Sequence, residues 1–188
     1  MSLDAQRLER TLAFHCAPSL SGIKPADLIT WDLPEVRGEE LLARYTALLA
    51  RRGILLRVLR RQGRKCLLLI YRPELLDDWL ARRQVSAMLA GEGYPVEAGR
   101  EAMLDALAQR LTAREFPHEI GLFLGYPPAD VDGFRRNKGN NWKLCGLWKV
   151  YDQVEEAARQ FQAFDRCRAA LCAQLAQGKT LAQLLAPV

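Results

Sequence analysis

Two histidines are the residues of this chain best suited to proton transfer, and each precedes a second reactive group: His15-Cys16 and His118-Glu119. A histidine can take the proton of a thiol, and a carboxylate can orient the imidazole ring, so these side chains together would form a nucleophilic or proton-transfer site. Adjacent residues of a regular helix cannot both face one pocket. We therefore expect each reactive pair to combine residues that are distant in the sequence: Cys16 with His118, or His15 with Glu119. The alternative is purely structural, with a histidine at a helix end and a glutamate bonded to backbone near a glycine.

Cys145 has the most informative surroundings of the five cysteines. Residues 142–151 alternate in period two, which predicts a β-strand with Lys143, Cys145 and Lys149 on one face. Nearby positive charge favours the thiolate form of a cysteine. These three residues are therefore candidate cofactor-binding residues, although the sequence leaves the cofactor unknown. The alternative is a small residue on a half-buried strand face with two lysines at a solvated edge.

The spacing of the potential metal ligands predicts no metal site. Zinc sites usually contain a pair such as Cys-x-x-Cys, and none is present among the cysteines at positions 16, 66, 145, 167 and 172. A catalytic His-Glu-x-x-His motif is also absent, because Gly121 and Leu122 follow Ile120.

The composition is that of an ordinary globular protein. The chain has 188 residues, of which 49% are hydrophobic and 26% charged, and 27 basic against 22 acidic residues give a net charge of +5. These values exclude wholesale disorder and fibrous or collagen-like classes. The length predicts a single domain over residues 1–188.

The apolar runs are too short for a membrane segment. The longest, at 54–56 and 66–71, fall far below the roughly 20 residues that cross a bilayer, and the N-terminus opens with charged residues. We therefore expect neither a membrane span nor a signal peptide. An odd number of cysteines and no expected disulfide framework are typical of a reducing, cytoplasmic environment.

Apolar residues recur at helical spacing in several stretches. The predicted helices cover about 3–14, 39–53, 73–91, 100–116 and 152–177. His15 and Cys16 are expected at a helix end because Pro18 follows them. Asp152 is predicted to cap the last helix, and Gly178 to follow its end.

Strands are predicted in fewer places. Two apolar runs, 54–60 and 65–71, joined by a link that contains Gly63, predict an antiparallel hairpin. Residues 18–38 are predicted to be loop with at most a brief strand. Because helices dominate and do not alternate with strands, the pattern predicts an α+β fold with helices packed around a small antiparallel sheet of at least three strands.

The segment 116–151 is the most distinctive part of the sequence. Its motif residues are Phe116-Pro117-His118-Glu119-Ile120-Gly121-Leu122-Phe123-Leu124-Gly125-Tyr126-Pro127, Asp130-Val131, Gly133-Phe134, Lys138-Gly139 and Lys143-Leu144-Cys145-Gly146-Leu147-Trp148-Lys149-Val150-Tyr151. Earlier in the chain, His15-Cys16-Ala17-Pro18 is followed by Gly22-Ile23-Lys24. These motifs resemble a bacterial family known as domain of unknown function 3793, over essentially the whole chain. The resemblance implies a soluble bacterial protein and supplies no activity, cofactor or catalytic residue.

Residues 118–136 also have the pattern of a helix-turn-helix, with the small Gly121 on a first helix and Pro128 at the start of a second. Basic residues with an interleaved aromatic are suited to phosphate and base contacts. The residues with this pattern are Arg135, Arg136, Lys138 and Trp142. Asp130 and Asp132 on the same helix oppose a DNA contact, and an ordinary packed helical corner has the same pattern.

Three functional interpretations follow. The leading one is a small-molecule or cofactor-handling protein with a redox link, whose partner is an unknown small molecule or anionic ligand. The second is a nucleic-acid-binding module that uses residues 118–136. The third is an interaction scaffold without chemistry of its own, and the sequence leaves open whether the protein is an enzyme.

Overall fold

A computed structural model describes residues 1–113 and 115–185 and has an α+β fold, as predicted. The described helices are α1 (Leu3–His15), α2 (Ala17–Leu20), α3 (Gly38–Ala50), α4 (Pro73–Leu80), α5 (Arg83–Gly91), α6 (Gly99–Arg110), α7 (Ile120–Phe123), α8 (Pro128–Arg136), α9 (Val154–Ala176) and α10 (Leu181–Leu184). The described strands are β1 (Ala26–Asp32), β2 (Leu55–Gln62), β3 (Lys65–Tyr71), β4 (Leu144–Cys145) and β5 (Lys149–Val150). A 3₁₀ turn covers Val96–Ala98.

The chain divides into two compact units. Unit 1 combines residues 1–75 with the segment from 166 onward, and unit 2 is formed by residues 76–165. The single domain expected from the chain length stays a prediction. No helix of the described residues is both long and apolar enough to cross a membrane.

Unit 1 contains a three-stranded antiparallel sheet in the order β1-β3-β2. The predicted hairpin of β2 and β3 is confirmed. Its turn consists of two residues, Gly63, at φ +58°, and Arg64. Residues 68–71 of the central strand β3 are all buried, and since successive side chains point to opposite faces, both faces are covered there.

Strand β1 is longer than the brief strand allowed within the predicted loop at 18–38. Its seven residues pair with β3 along their whole length, from Ala26 opposite Tyr71 to Asp32 opposite Lys65. The apolar residues Leu28, Ile29 and Trp31 did not indicate a full strand, because the partner strand lies far away in the sequence and Asp27 interrupts the apolar pattern.

Asp27 and Lys24 form a buried ion pair at the start of β1. Their side chains are 4% exposed, and the ammonium of Lys24 donates to the Asp27 carboxylate. The other carboxylate oxygen accepts from the backbone N–H of Ser19 at 3.1 Å. Two partners therefore satisfy a charge that would otherwise be costly to bury.

A second buried carboxylate ties the two sequence segments of unit 1 together. Glu9 in α1 accepts a hydrogen bond from the Tyr45 hydroxyl at 2.7 Å and from the backbone N–H of Leu181 at 3.1 Å. Glu9 thus connects α1 with α3 and with the first residue of α10. Burial, together with the hydrogen bond to Glu9, raises the pKa of Tyr45.

Unit 2 is mainly helical, and it differs from prediction in several places. The stretch predicted as helix over 73–91 consists of two helices, α4 and α5. Residues 142–151 form the two-residue strands β4 and β5 instead of one long strand, because the chain reverses between Gly146 and Trp148, whose N–H and C=O groups bond at 3.1 Å. Helix α6 ends at Arg110, earlier than predicted. Helix α9 begins at Val154, so Asp152 is not its cap.

Candidate functional site

A tight helical corner forms one side of the candidate site. Helix α7 is a single turn, and Gly125, at φ +78°, reverses the chain before α8. A Cβ atom at Gly121 would lie 3.0 Å from both Tyr126 and Val131, so glycine lets the two helices approach closely. Pro128 occupies the first turn of α8, as predicted.

Asp130 joins this corner to the β4–β5 hairpin. Its side chain is 3% exposed, and its Oδ2 accepts from the indole Nε1–H of Trp148 at 2.8 Å. Its Oδ1 accepts from the backbone N–H groups of Tyr151 at 2.7 Å and Asp152 at 3.1 Å. Three donors therefore hold the buried carboxylate, and the same bonds fix Trp148 against α8.

A cavity of about 320 Å³ lies between the corner and the hairpin. Aromatic rings dominate its wall, and they pack in pairs: Tyr126 stacks on Trp148 at a centroid distance of 4.8 Å, and His118 lies 4.9 Å from Phe134. The residues that line it are Phe116, His118, Ile120, Gly121, Tyr126, Asp130, Val131, Phe134, Cys145, Gly146, Leu147, Trp148 and Lys149.

Two of the predicted cofactor-binding residues line this cavity together. Cys145 is exposed and stands directly opposite Lys149 in the β4–β5 ladder, and directly opposed residues share a face. The Lys149 ammonium donates to the carbonyl of Gly139 at 2.6 Å and lies 5.7 Å from the centre of the Phe134 ring. Lys143 is exposed and bonds through its backbone to Val150, and it does not line the cavity.

The adjacent residues His118 and Glu119, both predicted site residues, point in two directions. His118 is exposed and lines the cavity, whereas Glu119 is only 5% exposed and accepts from the Tyr94 hydroxyl at 3.1 Å and from Arg110 at 3.0 Å. The Arg110 guanidinium also stacks over the Tyr94 ring at 4.6 Å. Burial and the Glu119 carboxylate raise the pKa of Tyr94. Glu119 thus serves a buried polar cluster outside the cavity.

His15 and Cys16 belong to unit 1 and lie in different environments. His15 is exposed and lines a groove of about 490 Å³ with Arg10 and Cys172. Cys16 is fully buried in the hydrophobic core, and burial, reinforced by the charge of Asp27, raises the pKa of its thiol well above the usual value. Their pairing with His118 or Glu119 of unit 2 stays a prediction.

The basic residues of the nucleic-acid alternative lie on α8 and in the loop after it. Arg135 forms an ion pair with Glu92 at 2.6 Å, and Arg136 pairs with Asp132 at 2.8 Å. Lys138 is exposed, and Trp142 is 47% exposed. Two of the predicted phosphate-binding cations are thus already paired with carboxylates.

Neither the aromatic wall nor the role of Asp130 was predictable from the sequence. Tyr126 and Phe134 appear in the sequence as ordinary apolar anchors, and Trp148 appears as one residue of a long strand. The bond between Asp130 and Trp148 has no sequence signature, because it crosses a change of chain direction. The one signal of that reversal in the sequence was Gly146, a glycine at an apolar position of the alternating stretch 142–151.

The chain belongs to the family described as protein of unknown function (DUF3793), whose model matches residues 12–185. This match includes the segment that lines the cavity and the His15-Cys16-Ala17-Pro18 motif, and it confirms the resemblance found in the sequence. Neither the search of curated proteins nor the search of solved structures found a match. The function is therefore argued from the site itself.

Proposed function

We propose that this protein binds a small organic molecule with a flat apolar body in the aromatic cavity of unit 2, with a redox link through Cys145. The observation that carries the proposal is that His118, which precedes α7, lines one cavity with Cys145 and Lys149 of the β4–β5 hairpin. Its volume of about 320 Å³ lies at the lower end of the roughly 300–1,000 Å³ typical of small-molecule sites.

The aromatic rings favour a flat ligand. Aromatic groups pack with centroids about 4.5–7 Å apart, and the wall already contains two such pairs, Tyr126 with Trp148 and His118 with Phe134. A bound ring would extend this packing and would lose its contact with water. Mostly apolar walls with a few polar groups are the usual composition of a binding site for an organic molecule.

The redox link rests on the exposed thiol of Cys145. Its thiolate can attack one sulfur of a low-molecular-weight disulfide, forming a mixed disulfide and releasing the other half as a thiol. We also propose that the protein acts in the bacterial cytoplasm, because all five cysteines are free thiols.

The proposal is tested by titration with a neutral aromatic probe, 1-naphthalenemethanol, followed through backbone amide chemical shifts. We expect the shift changes to concentrate in residues 116–121, 126–134 and 145–149. Replacing Phe134 by Leu keeps an apolar side chain but removes one ring of the wall, so F134L should weaken binding.

A matched control is F14L, which removes an exposed ring of α1 in unit 1. It should leave the affinity unchanged. Shift changes that centre on residues outside the cavity would reject the proposed function even without any variant.

A further inference from the structure

The position of Lys149 defines the charge of the ligand. We propose that the cavity takes an aromatic carboxylate, whose ring lies among the aromatic side chains and whose carboxylate binds the Lys149 ammonium. This inference rests on the proposed function, since it names the ligand class of the same cavity.

The Lys149 ammonium is held in place and retains N–H groups that can donate further hydrogen bonds. Its ammonium has three N–H groups and gives one to the carbonyl of Gly139 at 2.6 Å. The contact with the Phe134 ring, at 5.7 Å from its centre, fixes the same ammonium beside the aromatic wall. Two donors of a positioned cation are therefore available to a ligand.

No described carboxylate neutralises Lys149 through an ion pair. Asp130 is the one carboxylate among the residues lining the cavity, and both its oxygens are occupied by the N–H groups of Trp148, Tyr151 and Asp152. The neighbouring arginines of α8 are paired with Glu92 and Asp132. Among the described residues that line the cavity, the lysine or arginine open to a ligand is thus Lys149.

The apolar surroundings strengthen the recognition of an anion. A charge-assisted hydrogen bond is stronger than a neutral one, and it gains further where aromatic walls exclude water. A neutral aromatic molecule would use the ring contacts alone. An aromatic cation would bring a second positive charge beside Lys149. The order of affinity should therefore be carboxylate first, alcohol second and amine last.

Three probes with the same ring system test this order: 1-naphthoate, 1-naphthalenemethanol and 1-naphthylmethylamine, titrated at a pH where the acid and the amine are charged. We expect 1-naphthoate to bind at least about tenfold more tightly than the alcohol, as one charged hydrogen bond implies. K149M should remove this preference, while changing the affinity for the alcohol by less than about twofold. K149R should retain most of it.

A matched control is K143M, which removes an exposed lysine of the same hairpin that does not line the cavity. It should leave the preference intact. Equal binding of the carboxylate and the alcohol by the unmodified protein, or tightest binding of the amine, overturns the inference and leaves the proposed function standing. If none of the three probes binds, both proposals fail. These comparisons do not depend on whether K149M folds.

Discussion

Two cysteines illustrate how environment decides what one residue type does. Cys16 is completely buried in the core of unit 1, and its thiol stays protonated because burial raises its pKa. Cys145 is exposed on β4 and lines the aromatic cavity. The first therefore contributes to packing, whereas the second is accessible to reagents and to ligands.

Cys145 should be the first thiol to react with 5,5′-dithiobis(2-nitrobenzoate). This reagent is itself an aromatic carboxylate and a disulfide, so the cavity should accelerate its reaction at Cys145. We expect a fast phase of about one equivalent per chain, measured by release of the coloured thiolate, and saturating 1-naphthoate should slow it.

The variant C145S should lack the fast phase, whereas C172S should retain it, because Cys172 is half-buried in α9 outside this cavity. Cys16 should react only when the protein unfolds. A fast phase that survives in C145S would contradict the assignment of the reactive thiol.

At the scale of elements, α8 packs closely on the β4–β5 hairpin because Gly133 has no side chain. A Cβ atom at Gly133 would lie 2.5 Å from Cγ and 2.6 Å from Cβ of Tyr151, and the position of that Cβ is fixed by the backbone. The bonds from Asp130 to the same hairpin depend on this close approach. The geometry of the cavity therefore depends on a glycine in the middle of a helix, where glycine is otherwise unfavourable.

Replacing Gly133 by Ala should lower the free energy of unfolding by about 1–3 kcal/mol through overpacking, measured by urea denaturation. Gly91 provides a matched control, because it ends α5 and a Cβ atom added there would meet nothing within 4 Å. G91A should be neutral or stabilise by up to about 1 kcal/mol. Equal destabilisation by both changes would show that contact with Tyr151 is not the cause.

Local patterns predicted the elements whose partners are close in sequence. The periodicity of α1 and α3 and the turn at Gly63 were sufficient for two helices and a hairpin. The full length of strand β1 was not predicted because its pairing with β3 is not local. Strands β4 and β5 were merged because apolar alternation continues through Gly146. The same limit applies to the site: residue types selected His118, Cys145 and Lys149, but only the fold shows that they share a cavity.

At the scale of the whole molecule, the net charge of +5 is poor evidence for a nucleic-acid partner. Several arginines are engaged in ion pairs, such as Arg61 with Glu39 and Arg64 with Glu35. Around the distinctive segment, Lys138 and Lys143 are exposed and form no ion pair with a described carboxylate. Few cations are therefore arranged to contact phosphates.

Binding to a DNA duplex should be weak and should depend only modestly on salt. Contacts made by Lys138 and Lys143 would contribute only about −2 to the slope of log K against log salt, measured by fluorescence anisotropy. The double variant K138M/K143M and a control, K65M/K179M, lose equal charge and should weaken binding equally. A slope of about −5 or steeper that becomes about 2 shallower in K138M/K143M and stays unchanged in K65M/K179M would instead support the nucleic-acid interpretation.

The hydrogen bond between Glu9 and Leu181 can form only late in the synthesis of the protein. Its two ends are 172 residues apart, so at roughly 5–20 residues per second the ribosome needs on the order of ten seconds or more to supply the second after the first. All of unit 2 emerges during that interval, while the Glu9 carboxylate still lacks its partner on α10. Synthesis of unit 1 therefore begins before that of unit 2 and ends after it.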